Sequence, residues 1–300
     1  MKPIRKTLFG ATLLSLGISG ALIAQSQAPA VINSARPLHD AALLLESRYQ
    51  KVVTYEDPVW MWQGDSIQTG MNENARVLIH RPLVLFPDAA PERSPKLDAA
   101  LVATFVSAYQ RQNTGGAQFE VGSSSWGLHI VPLQAHDESG ALVPATRLLD
   151  ARISVPEESR MASEHLKALA NSITMATGIK VVGGTPYIDA FFAANGILPP
   201  KGAAQLLPQA EKAPYSFSWG AAAVPARDAL IDFLGHSSTT LSWKLLCGPG
   251  RMDGDCVLNL NPIVVMTPGP DGKLERHPIS YDRLGGPPRS PMPWPPPSPQ

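Results

Sequence analysis

The sequence predicts an α+β chain of repeated helix–strand units that pack helices on small sheets. Three observations carry this expectation. Apolar residues recur at helical spacing in four segments, each segment is joined by a short turn to an extended β-branched stretch, and Gly, Pro or a capping residue punctuates the joins.

Lys2, Arg5 and Lys6 precede an uncharged apolar run from Leu8 to Ala24, and small residues follow at Ala24, Ser26, Ala28 and Ala30. That order predicts a secretory signal peptide over residues 1–30 and a periplasmic or secreted mature protein. Retention as an anchor is the alternative reading of the same run. No Cys ends the run, so no lipid attachment is expected there.

The first helix is predicted after Pro37, with Leu38, Ala41, Ala42, Leu45 and Tyr49 on one stripe, and a strand follows over Lys51 to Tyr55. Ser94 as cap and Pro95 at the first helical position open a second helix carrying Leu97, Ala100, Leu101, Thr104, Phe105 and Ala108. Asn113 to Gly116 stop it. Strands over Gln118 to Val121 and Trp126 to Leu133 then flank Gly122-Ser123-Ser124-Ser125. The third copy starts with a strand over Leu148 to Val155, and Glu157 and Glu158 favour the start of the next helix. That helix carries Leu166, Leu169, Ala170 and Ile173, ends at Gly178 and leads into a strand over Ile179 to Val182. A strand over Tyr215 to Trp219 begins the fourth copy. Pro225 opens its helix, Ala226, Ala229, Leu230, Phe233 and Leu234 form the stripe, and Gly235 closes it. Exit strands are expected over Thr240 to Cys247 and Cys256 to Asn261.

Polar and Gly residues between His136 and Val143 interrupt the pattern, which predicts one domain over 31–140 and a second over 141–266. The connection 187–214 is too long for a plain link and reads as an insertion in the second domain. Residues 267–300 are rich in Pro and Gly and read as a disordered tail with polyproline II character. That tail is either a solvated spacer or a recognition strip anchored by Trp294.

The chain carries 25 basic and 25 acidic side chains with no cluster of either sign, which argues against nucleic acid and against a polybasic membrane patch. No membrane insertion is expected once the signal is cleaved. The two cysteines, Cys247 and Cys256, flank a Gly- and Asp-rich turn and read as a disulfide across a hairpin. Too few His or acidic residues lie near them for a zinc or calcium site, so no metal is expected. Gly122-Ser123-Ser124-Ser125-Trp126-Gly127 misses the serine-hydrolase elbow by one position, with an extended segment after it. No metalloprotease, phosphate-loop or dinucleotide motif is present, so no catalytic residue and no cofactor is assigned. His80 and His129 fall in predicted strands and read as packed or surface imidazoles.

The candidate binding residues are Tyr55, Glu56, Asp57, Trp60 and Trp62. They set two carboxylates beside two aromatics that alternation places on one side. Such a group can stack on and hydrogen-bond a sugar, or anchor a protein. The same segment also reads as turn residues ahead of Pro58, with tryptophans covering the core.

Pro225-Ala226-Arg227-Asp228-Ala229-Leu230-Ile231-Asp232-Phe233-Leu234, followed by Leu241-Ser242-Trp243-Lys244-Leu245-Leu246, resembles the short amino-terminal domain shared by secretins and TonB-dependent receptors. Ile153-Ser154-Val155, Leu166-Lys167-Ala168-Leu169 and Thr177-Gly178-Ile179-Lys180-Val181-Val182 look like its first half. The likeness spans residues 148–262 or so. It implies a pair of βαβ-type units with two helices on short sheets that bind an envelope protein partner. The insertion 187–214 departs from that pattern, and neither a pore nor a barrel sequence follows, so a similar module is implied and not membership of a secretion or uptake machine. Two functional readings result: a non-enzymatic, exported protein-binding module, and a carbohydrate-binding or carbohydrate-acting protein using the acidic and Trp residues.

Overall fold

A computed structural model describes residues 30–32, 36–59, 67–68, 78–79, 83–85, 96–137, 139–185, 188–192, 216–248, 255–268 and 274–278. The signal region 1–29, Trp60, Trp62 and residues 279–300 lie outside them. The first unit runs β1 (Ala30–Ile32), α1 (Pro37–Tyr49), β2 (Val53–Glu56), the short pair β3 (Ile67–Gln68) and β4 (Leu78–Ile79), β5 (Leu83–Leu85), α2 (Ala99–Gln112), β6 (Gln118–Ser123), β7 (Leu128–His136) and β8 (Leu142–Pro144). Pro37 sets the first helical φ of α1, its stripe of Leu38, Ala41, Ala42 and Leu45 is buried, and Gln50 ends it in the left-handed region at φ 56°. β1 pairs antiparallel with β5, β2 lies parallel to β7, and β6 pairs antiparallel with β7.

A 3-10 turn (Leu148–Asp150) opens the second unit. It continues with β9 (Arg152–Met161), α3 (Ala162–Thr177), β10 (Val181–Gly183), α4 (Ile188–Phe192), β11 (Ser216–Pro225), α5 (Ala226–Gly235), β12 (Leu241–Cys247) and β13 (Cys256–Pro262). β9 pairs antiparallel with β11, β10 lies parallel to β13, and β12 pairs antiparallel with β13. These five strands repeat β1, β2, β5, β6 and β7 of the first unit, in which β3, β4 and β8 are additions. Equivalent residues keep a constant offset of 128 positions: Leu38 and Leu166, Ala42 and Ala170, Leu45 and Ile173, left-handed Gln50 and Gly178, Val53 and Val181, Leu128 and Cys256. Even the first ladder bond recurs, with Leu128 N–H donating to Val52 O at 3.1 Å and Cys256 N–H to Lys180 O at 2.9 Å. The helical stripe is what the two units share, since equivalent positions need only the same burial and not the same side chain.

The units join edge to edge. β12 lies parallel to β2, with Lys244 opposite Tyr55, which gives one sheet in the order β10-β13-β12-β2-β7-β6 with β8 on β7. Val53 and Tyr55 face a core built with α1 and α2, whereas Val52 packs in the core built with α3 and α5. Successive strand residues face opposite sides, so the two helix pairs cover opposite faces of the shared sheet.

The α+β class stands, and several local expectations change. The second helix begins at Ala99 and not at Pro95, because Asp98 caps it by accepting from Leu101 N–H at 2.9 Å. Glu157 and Glu158 sit within β9, which runs on to Met161, and Glu164 is the acidic residue in the first turn of α3. The segment 187–214 contains α4, whose Asp189 accepts from Ser163 N–H at 2.8 Å, and the rest of it lies outside the described residues. Within 267–300, Thr267, Pro268 and residues 274–278 belong to an antiparallel hairpin of β14 (Val264–Pro268) and β15 (Leu274–Pro278). Val52, Val59 and Trp126 pack in the core built with α3 and α5, and the sheet runs across residues 136–143.

Candidate functional site

The acidic segment expected on the surface lies inside the protein. Tyr55, Glu56 and Asp57 are 4 %, 1 % and 2 % exposed. The end of β2 carries them into the seam between the units, where each finds a partner. Asp57 accepts from Arg36 Nε at 2.7 Å, from the Tyr55 hydroxyl at 2.7 Å and from Cys247 N–H at 2.9 Å. Arg36 also donates to Cys247 O at 2.8 Å. Glu56 accepts from Arg227 at the start of α5, and Arg227 in turn reaches Asp150 at 2.6 Å. Burial raises the affinity of both Glu56 and Asp57 for a proton, and the guanidinium of Arg227 or Arg36 opposes that rise. A third pair closes the seam: Lys244 Nζ on β12 donates to Glu46 Oε1 on α1 at 2.9 Å. These carboxylates therefore hold the units together and offer no surface for a sugar. Trp60 and Trp62, the other members of the predicted group, lie outside the described residues.

The loop that nearly matched a hydrolase elbow is a locked turn. Ser124 Oγ accepts from Trp126 N–H at 3.1 Å and lies 2.7 Å from His129 Nε2, while His129 Nδ1 lies 2.9 Å from Thr54 Oγ1. The imidazole stacks on Trp243 at 5.1 Å between centroids. Burial, with Arg227 nearby, lowers its pKa to about 4, so it stays neutral. β7 follows the loop where a nucleophile elbow needs a helix. The cysteines meet as expected, with Cys247 and Cys256 disulfide-bonded at 2.03 Å across the β12–β13 hairpin.

Among the described residues, one strand edge carries no further strand. β10 ends the sheet, and among the described residues it pairs only with β13. Beside it runs a groove of about 340 Å³ between α3 and β10, lined by Leu166, Lys167, Ala170, Asn171, Val181 and Gly183 among others. Glycine shapes this edge: a Cβ on Gly183 would lie 2.8 Å from Leu166, and one on Gly184 would collide with Val257. Thr174 on α3 turns its hydroxyl to the Val181 N–H at 2.9 Å. The equivalent bond in the first unit runs from Val53 N–H to Glu46 Oε1 at 3.0 Å, and there the neighbouring edge is filled by β12. Sequence reasoning missed this surface. The signal that could have found it is Gly183-Gly184, a glycine pair ending a β-branched strand where a close approach of backbone is expected.

Among the described residues no group of three or more His, Cys, Asp or Glu could hold a metal ion, and no helix is long and apolar enough to cross a membrane. No family model matches the chain, and no curated protein or solved structure matches it either.

Proposed function

We propose that this chain is an exported, non-enzymatic protein-binding module that receives an extended strand of an envelope protein at the β10 edge beside α3. The observation that carries the reading is the pair of equivalent edges: β2, with α1 beside it, accepts β12, while β10, with α3 beside it, has no described strand on it. An exposed edge next to a helix-lined groove suits strand addition, in which backbone bonds give affinity and the groove selects side chains. The resemblance to the short domain of secretins and TonB-dependent receptors agrees with two helices, α3 and α5, associated with a two-stranded sheet (β9 and β11) and three further strands (β10, β13 and β12). The Cys247–Cys256 bond suits an oxidising compartment.

A photo-cross-linking residue placed at Asn171 in cells tests the proposal. Asn171 lines the groove, whereas Met175, 87 % exposed on the same helix, serves as the control. An adduct from position 171 and none from 175, mapped to an extended segment of a second polypeptide, supports the reading. No adduct from 171, or equal adducts from both, defeats it.

A further inference from the structure

We infer that the partner at the β10 edge is the β6 edge of a second copy of this chain, giving head-to-tail association. The inference rests on the strand-addition reading above and names its occupant. Within the chain, the second unit presents β12 to β2 of the first. β6 is the counterpart of β12, because Glu120, Val121 and Ser123 face Val131, Ile130 and Leu128 on β7 as Lys244, Leu245 and Cys247 face Asn259, Leu258 and Cys256 on β13. β10 is the counterpart of β2. The two ends of the sheet are therefore the two halves of a contact that the chain already makes once internally.

The internal register fixes the external one. Lys244 lies opposite Tyr55 and Leu245 opposite Glu56, which sets Glu120 opposite Gly183 and Val121 opposite Gly184 of the second copy. Asp57 N–H donates to Leu245 O at 2.8 Å, so Thr185 N–H of one copy is matched with Val121 O of the other. The groove beside α3 is the counterpart of the space in which Lys244 meets Glu46. There the outer contact differs from the inner one. Thr174 replaces Glu46, and Glu120 replaces Lys244 while staying half-exposed and held by Arg147 at 2.8 Å. The Lys244–Glu46 pair has no equivalent in the outer contact, which joins separate chains where the inner one joins two parts of a single chain, so the outer contact dissociates on dilution. A contact between unlike edges does not close on itself by a two-fold axis, so association continues past the dimer.

Sedimentation equilibrium of the full chain, read as average mass against concentration, tests this. The mass of the wild type should rise beyond that of a dimer. Val121→Pro spoils the β6 edge, and because the Leu245 carbonyl points to β2, its counterpart Val121 points away from β7 and the internal ladder survives. Asn171→Trp fills the groove from an exposed helical position. Each variant should weaken association roughly tenfold or more, as expected for the loss of one or two net hydrogen bonds and their packing. Mixed, the two should form a dimer and stop there, since each supplies one intact edge. Ser123→Pro and Lys167→Trp replace either variant if its melting temperature falls. A wild type that stays monomeric at all accessible concentrations, variants that associate like the wild type, or a mixture that stays monomeric would overturn the inference. A monomeric wild type together with a position-171 adduct to a different protein would leave the strand-addition reading standing and remove only the second copy as its occupant.

Discussion

Lys244 has no exposed surface, and its ammonium group rests on Glu46 Oε1 at 2.9 Å, Val53 O at 2.5 Å and Ser242 Oγ at 2.8 Å. Such a pair gives little net stability over an apolar substitute, yet removing one partner strands the other charge without solvent. Lys244→Met should therefore cost about 3–5 kcal/mol in urea unfolding, and adding Glu46→Gln, which removes the stranded charge and keeps an oxygen for Val53 N–H, should recover much of it. A double-variant loss equal to the sum of the two single losses would show that the two side chains are not coupled. His129 makes the second residue-scale prediction. Its folded pKa of about 4 lies below the ordinary 6.5, so the unfolded chain binds more protons between those values. Its contribution is full above pH 6.5 and is lost as pH falls to about 4, an effect on the order of 3 kcal/mol. Glu56 and Asp57, with raised folded pKa values, act in the opposite sense, since their contribution is lost as pH rises through those values. Comparison with His129→Gln isolates the imidazole. The stability advantage of the wild type should shrink across that window, and parallel pH curves for the two proteins would refute the assignment.

At the scale of elements, α2 and the β12–β13 hairpin give measurable handles. Asp98 caps α2 through Leu101 N–H, and Asp98→Ala should lower stability by about 1 kcal/mol, whereas Asp98→Asn, which keeps a capping oxygen, should be close to neutral. The disulfide closes a loop of about ten residues at the turn end of the hairpin, where loop-closure entropy is worth roughly 2–3 kcal/mol. The double variant Cys247→Ser, Cys256→Ser should stay folded and melt several degrees lower. Peptide mapping before and after reduction should find no free thiol in the native protein, and two reactive thiols would contradict the bonded pair. The hairpin also forms one side of the seam, because Cys247 N–H and O are bound by Asp57 and Arg36. Loss of the bond should therefore weaken the junction as well as the turn.

The whole molecule behaves as its sheet dictates. Two cores on opposite faces share one set of strands, and Trp126 Nε1 of the first unit donates to Leu241 O of the second at 2.9 Å. Neither unit can lose its strands without exposing Lys244, Glu56 or Asp57 of the seam. Calorimetry should give one transition with equal calorimetric and van't Hoff enthalpies, despite two cores that would otherwise read as two domains. Two resolved transitions would mean that the β12–β2 contact is too weak to couple the units.

The helices were legible in the sequence because burial on one face leaves a periodic mark within a dozen residues: Leu38, Ala41, Ala42 and Leu45 in α1, and Leu166, Leu169, Ala170 and Ile173 in α3. The cysteines and the alternating strands around them marked the β12–β13 hairpin for the same local reason. The cap of α2 was misplaced because Ser94-Pro95 and Asp98 both satisfy the local rule, and only the packed helix shows which is used. The acidic segment stayed open between a surface and a turn beside the core because its partners are far away in the chain, Arg36 by 21 positions and Arg227 by 171. The candidate site was least legible of all. An open edge consists of backbone groups that every residue carries, so only the tertiary structure, by filling β2 with β12 and setting β10 at the end of the sheet, decides where such an edge is exposed.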